Sequence, residues 1–353
     1  MSVPYYICGI QQVGIGVSDA NKSWAWYRKF FGTDVPVVDD KAVANLMLRY
    51  TGGESRTRHA IIALNMQGGG GLEIWQYVCR KPQAADITIQ VGDLGVFATK
   101  IKCQNVEQTH AYFTEKGMKN ISISQLPDGN KVFYVNDESG NLFQLTEGQD
   151  WFQQSKKPTG GVYGAMLGVT DIEKSLRLYR DILGYDQVVY DQSGQFDDLS
   201  LLAGGSQRFR RVLLRHAQPR KGAFSRLLGS SELELVQALD REPVRMFENR
   251  FWGDLGFIHL CFDVANMDAL KVTCAEMGFP FTVDSANTFD MGDAGGRFSY
   301  IEDPDGTLIE FVETHKVPIF KRFGIYLNLS NRNPEKPLPN WMLKALGMNR
   351  KKD

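Results

Sequence analysis

VSDANKSWAWYRKFFG, residues 17–32, has a second copy in the same chain, VTDIEKSLRLYRDILG at residues 169–184. Asp19, Lys22, Ser23, Tyr27, Arg28 and Gly32 fall opposite Asp171, Lys174, Ser175, Tyr179, Arg180 and Gly184. Each copy reads as a helix between two signals. Asp19 or Asp171, with Ser18 or Thr170 beside it, can accept from a free N–H of the first turn. The closing glycine tolerates the left-handed backbone that ends a helix. A second pair, VNDESGNLFQLTE (135–147) and IEDPDGTLIEFVE (301–313), repeats farther on. The chain is therefore read as a duplication.

Each half divides again. An alternating strand leads into a helix, and several short strands follow, ending at GLEIWQY (71–77) and ELELVQA (232–238). New units open near Gly95 and Gly256, with helices expected around 105–117 and 266–278. Four βαβββ modules result, at about 8–80, 93–150, 160–240 and 255–315. The fold class is α+β, with four such modules forming two cupped mixed-sheet domains. Residues 1–155 hold the first two modules, 156–316 the last two, and 317–353 form a C-terminal extension. The polar linker QQSKKPTGG (153–161) separates the halves, and DPDG (303–306) is a tight turn before the last strand. Four prolines interrupt the extension, and NWMLKALG reads as one short helix that either packs outside or covers the mouth of a cup.

Bulk composition narrows the function. In 353 residues, 43% are hydrophobic and 23% charged, which suits a packed core, and the net charge of -1 argues against nucleic acid or an acidic membrane as partner. Five scattered cysteines without CxxC spacing read as reduced thiols. With no signal peptide or membrane-length apolar run in view, a cytoplasmic monomer or homodimer acting on a small molecule is expected.

With the opening V-x-D-x-x-K-S-x-x-x-Y-R-x-x-x-G and the ending D-P-D-G-x-x-x-E, the paired modules resemble the vicinal oxygen chelate superfamily, over about residues 8–315. That superfamily holds glyoxalase I, extradiol dioxygenases and the bleomycin resistance proteins. The resemblance implies metal ligands on the first and last strands of each module, on the concave face. Carried over, these positions are Gln12 and Glu73, Ala98 and Gln144, Gly164 and Glu234, and His259 and Glu310. Alternation agrees with this independently. Val13, Ile15 and Val17 share the opposite face from Gln12, and Glu73 and Glu310 each stand between apolar neighbours that point the other way. Such carboxylates are costly to bury unless paired or bound to a cation.

Pairing the outer modules gives Gln12, Glu73, His259 and Glu310, the ligand set that the resemblance implies for a glyoxalase I-like site. Pairing neighbours gives instead Glu234, His259 and Glu310, with Gly164 leaving a gap. The outer pairing is preferred because its set is complete. One imidazole and three oxygen donors suit one divalent Zn, Ni, Co, Mn or Fe ion. The chemistry implied is that of a metal-dependent lyase or isomerase on a small α-oxygenated carbonyl compound, through an enediolate on the metal. The resemblance assigns Glu310 as catalytic base and Glu73 as its partner.

Two other readings stand beside it. A metal-free binder of the bleomycin-resistance type is compatible with Trp75, Tyr77, Phe251 and Trp252. An Fe(II) dioxygenase needs two histidines and a carboxylate, and Gly164 stands where the first histidine would be. MQGGGG (66–71) reads as a flexible hairpin turn and not a phosphate loop, since no GK[ST] follows. RFRRVLLRH (208–216) and SRTRH (55–59) read as solvated charged faces.

Overall fold

The computed structural model describes residues 4–286, 289–291, 294–320, 324–330 and 332–351. The first module comprises β1 (Tyr6–Gly16), α1 (Ala20–Phe31), β2 (Val35–Val43), β3 (Thr57–Leu64) and β4 (Gly71–Tyr77). The second is β5 (Gly95–Cys103), α2 (Val106–Glu115), β6 (Ile123–Gln125), β7 (Lys131–Asn136) and β8 (Leu142–Glu147). The third is β9 (Thr159–Gly168), α3 (Ile172–Tyr179), β10 (Gln187–Gly194), β11 (Phe209–Arg215), a one-turn α4 (Ser225–Leu228) and β12 (Glu232–Ala238). The fourth is β13 (Gly256–Ala265), α5 (Met267–Glu276), β14 (Val283–Asp284), β15 (Phe289–Met291), β16 (Ala294–Glu302) and β17 (Leu308–Phe320). In the extension, β18 (Ile325–Asn328) pairs with β17, and α6 (Asn340–Ala345) runs into a 3-10 turn, Leu346–Asn349.

The N-terminal signals act as read in both copies, but the closing glycine does so only in the first, because α3 already ends at Tyr179 and Gly184 falls in the turn that follows. The Asp19 and Asp171 side chains accept from the Lys22 and Lys174 amides, and Gly32 closes α1 at φ 62°. The two repeated motifs also meet each other. Tyr27 donates to Asp137 at 2.6 Å, and Tyr179 donates to Asp303 at 2.8 Å. Each bond joins a helix of one module to the last turn of the next.

The modules pair outermost with outermost. One mixed sheet has the order β14-β16-β17-β13-β1-β4-β3-β2, and the other β10-β11-β12-β9-β5-β8-β7-β6. In the first, antiparallel β1 and β13 form the centre, flanked by parallel β4 and β17. In the second, β9 and β5 take those places, flanked by β12 and β8. Neither sheet is built from residues 1–155 or 156–316 alone, because each takes one module from each half. The alternative site Glu234, His259 and Glu310 is thereby ruled out: β12 lies in the inner sheet, whereas β13 and β17 lie in the outer one.

Both convex faces and the four module helices share one apolar core, in which the rings of Phe31 and Phe143, from modules one and two, lie 4.7 Å apart and tilted to one another. Where the two halves touch, MQGGGG is no flexible hairpin. All six of its residues are buried, with Gly68 and Gly69 at φ near 106°. Gly70 exchanges backbone hydrogen bonds with Val162, and a Cβ on Gly161 would lie 2.3 Å from the Gly70 carbonyl. Glycine is required on both strands so that the backbones can close together.

The inner cup is closed by charge. Lys100 is fully buried, 2.8 Å from Glu232 and 2.9 Å from Glu234. Arg211, also fully buried, grips Asp198 through two nitrogens and pairs with Glu234. So RFRRVLLRH is not simply a solvated face, since Arg211 serves carboxylates that come from a loop and from the neighbouring strand. SRTRH departs in the same way, with Arg58 buried on Asp40 and His59 on Asp39. Burial alone would raise the Glu234 carboxyl, but Arg211 and Lys100 bring it down to about 2. Ionised Glu234 therefore supports the fold above its ordinary value of 4.5, and that support fades as pH falls toward about 2. In thermal unfolding, the gap between wild type and Glu234→Gln should be widest near neutral pH and shrink across that window. A gap independent of pH would contradict this.

Candidate metal centre

In the outer cup the strand alternation brings Gln12, Glu73, His259 and Glu310 to one point. Among the described residues, Glu73, His259 and Glu310 are the one group of three whose ligand atoms all lie within 4.8 Å of one another. All four side chains are buried. His259 Nε2 is 3.2 Å from a Glu73 oxygen and 3.1 Å from a Glu310 oxygen, yet it makes a well-directed hydrogen bond with neither. Gln12 Nε2 sits 3.3 Å and 3.4 Å from the same two oxygens, while its Oε1 is buried without a partner. A half-turn of that amide exchanges nitrogen for oxygen, and would complete a set of three oxygens and one nitrogen.

The local field calls for positive charge. Burial alone would lower the His259 pKa, but Glu310 and Glu73 raise it to about 10. Burial pushes the Glu310 carboxyl up, and the His259 imidazole more than reverses this. Two buried carboxylates converging on an imidazole with unmet bonding capacity fit a divalent cation.

Residues that strand alternation alone did not single out shape this arrangement. Gly14 stands directly opposite His259 on β1 and beside Glu73 on β4. A Cβ there would lie 2.4 Å from His259 Cε1, so only glycine leaves the ring its place. Its signal was a glycine inside a strand, which marks a close approach. Tyr300, on β16, places its hydroxyl 3.4 Å from His259 Nδ1 and its ring edge-on to the imidazole, which leaves Nε2 toward the carboxylates. Over these groups lies a space of about 470 Å³ rimmed by Met47, Trp75, Trp252 and Phe298. The indole N–H groups of Trp75 and Trp252 are buried without partners.

The inner cup shows the other fate of the same positions. By strand register Ala98 stands for His259, Gln144 for Glu310, Glu234 for Glu73 and Gly164 for Gln12. Glu234 is neutralised by Lys100 and Arg211, and Gln144 bonds to Tyr134. Of the other histidines, His59 and His315 pair with acidic side chains, and His110 and His216 with backbone carbonyls. None joins His259, so the two-histidine dioxygenase set is not assembled among the described residues.

A family model described as Glyoxalase/Bleomycin resistance protein/Dioxygenase superfamily matches residues 9–145 and 163–311. No curated protein sequence matches the chain significantly. Among solved structures, glyoxalase I from Zea mays is 14% identical, with a TM-score of 0.54, covering 88% of this chain and 92% of its own. A candidate dioxygenase from Bacillus subtilis is 13% identical, with a TM-score of 0.56, covering 87% of this chain and 86% of its own. At such identities the likeness is one of fold. Among the described residues no helix is long and apolar enough to cross a membrane.

Proposed function

The chain belongs to the Glyoxalase/Bleomycin resistance protein/Dioxygenase superfamily, and from that premise we propose that its outer cup is a metal-dependent lyase or isomerase site for a small α-oxygenated carbonyl compound. The observation that carries this is the convergence of two buried carboxylates, a buried amide and His259 Nε2 on one point. Gln12, Glu73, His259 and Glu310 would hold one divalent ion. When bound, that ion supplies Lewis acidity toward two adjacent substrate oxygens.

The protein's own groups then divide the remaining work. Glu310 takes the proton from the carbon beside those oxygens, with Glu73 as its counterpart across the site. Tyr300 holds the imidazole through Nδ1. Trp75 and Trp252 line the space above, where they would pack against the substrate.

The test is hydrogen–deuterium exchange at the α-carbon of 2-oxoaldehyde thiol adducts and α-hydroxy ketones, followed by NMR. Exchange should stop on chelation and return when metal is restored. Glu310→Gln should slow it by about 10²–10⁴-fold, the usual worth of a positioned base. A chain that takes up no metal, yet binds aromatic ligands through its tryptophan rim, would favour the binding-protein reading instead.

A further inference from the structure

Building on the metal centre just proposed, we infer that the substrate carries a short, uncharged apolar group beside its two oxygens, received by a second chamber that the C-terminal extension closes. This chamber, of about 120 Å³, shares Gln11, Gln12, Ile62 and Val312 with the space over the carboxylates. The two spaces therefore adjoin at Gln12, itself one of the donors. Its remaining walls are Leu64, Leu227, Leu228, Val317 and Leu346, among other uncharged residues, and none of its lining side chains is ionisable.

The far wall is fixed in place. Leu338, Leu343 and Leu346 are buried against Leu64, Leu227 and Val317. Beyond them, Arg350 pairs with Asp34 at 3.1 Å, and the Lys351 amide donates to the Asp34 carbonyl. Val317 and Leu346 both lie past residue 311, where the family match ends. This part of the site is therefore supplied by the far end of β17 and by the extension folded back on it, beyond the stretch that matches the family.

Charge and size set the substrate class. A charged group entering this chamber would lose its hydration and find no opposite charge, whereas an alkyl group gains from transfer onto the mostly apolar walls. An apolar cavity of about 150 Å³ accommodates benzene, so this one suits a group of about four or five carbons. In the wider space, Arg58 is already held by Asp40. The favoured substrate therefore has two vicinal oxygens, a compact aliphatic substituent and no anionic carrier that would need a free arginine.

Alkyl hydroxamates test this, since they present two adjacent oxygens to a metal and differ only in their tails. Binding of the aceto-, butyro-, hexano- and octanohydroxamates to Co(II)-loaded protein would be followed by calorimetry. Affinity should rise about fourfold per added methylene until the chamber is full, then level or fall. Leu346→Ala should move that maximum to a longer tail. Leu346→Trp should flatten the series and leave acetohydroxamate unchanged. Equal affinities along the wild-type series, with acetohydroxamate bound, would overturn the apolar chamber alone. Protein that takes up neither metal nor any hydroxamate would overturn the metal centre and this inference with it.

Discussion

His259→Ala should bring metal content, measured on protein purified without chelator, from about one ion per chain to less than about a tenth, and abolish metal-dependent exchange. Removing a group that merely orients a ligand costs about 10–100-fold in metal affinity, and here the sole nitrogen donor itself is lost. Two carboxylates and an amide remain, a set of oxygens alone that holds Zn or Ni poorly. Elemental analysis of wild type, His259→Ala and Glu234→Gln side by side decides the matter. The Glu234 variant should keep its metal, because that carboxylate lies in the other sheet. Full metal content in His259→Ala would remove the proposed centre.

The largest effect on stability is expected from Lys100→Met. This lysine meets Glu232 and Glu234 where none of the three reaches solvent. Removing one member of a buried ion group leaves the others charged and poorly compensated, at a cost of about 3–5 kcal/mol. Denaturant unfolding should show this as a lower midpoint. Pairing Lys100→Met with Glu234→Leu should recover part of the loss, since the stranded carboxylate goes too. Arg211 also pairs with Glu234, and Arg215 lies 2.8 Å from Glu232, so an unchanged midpoint in Lys100→Met would mean that these two arginines alone carry both glutamates.

Much of this was legible in the chain itself. The two repeated motifs gave four modules, and they did so because they are scaffold: Tyr27, Asp137, Tyr179 and Asp303 tie successive modules together. The resemblance pointed to Gln12, Glu73, His259 and Glu310, and alternation agreed for each strand taken alone, since a strand's side chains reverse at every step. What stayed hidden depends on partners far off in sequence. Local pattern could not show that Arg211 would be buried by Asp198 and Glu234, or that Lys100 would supply the inner cup's positive charge. MQGGGG looked loose because the strand that packs on it, around Gly161, lies about 90 residues later. The wall formed by Leu346 depends on how a tail folds back, which no repeat records.

The outermost pairing has a consequence for how the chain comes into being. About 180 residues separate the end of β4 from the start of β13, its neighbour but one across β1. At the usual pace of synthesis, about 5–20 residues per second, the first module waits about ten to forty seconds for its partner. The inner sheet can close while that wait continues, since its modules emerge one after the other. Meanwhile the exposed edge of β1 offers unpaired backbone groups to any passing strand. The nascent chain thus carries only Gln12 and Glu73 of the four-residue cluster, and an open edge, until nearly all of it has been made, and that interval is when it most needs protection from aggregation.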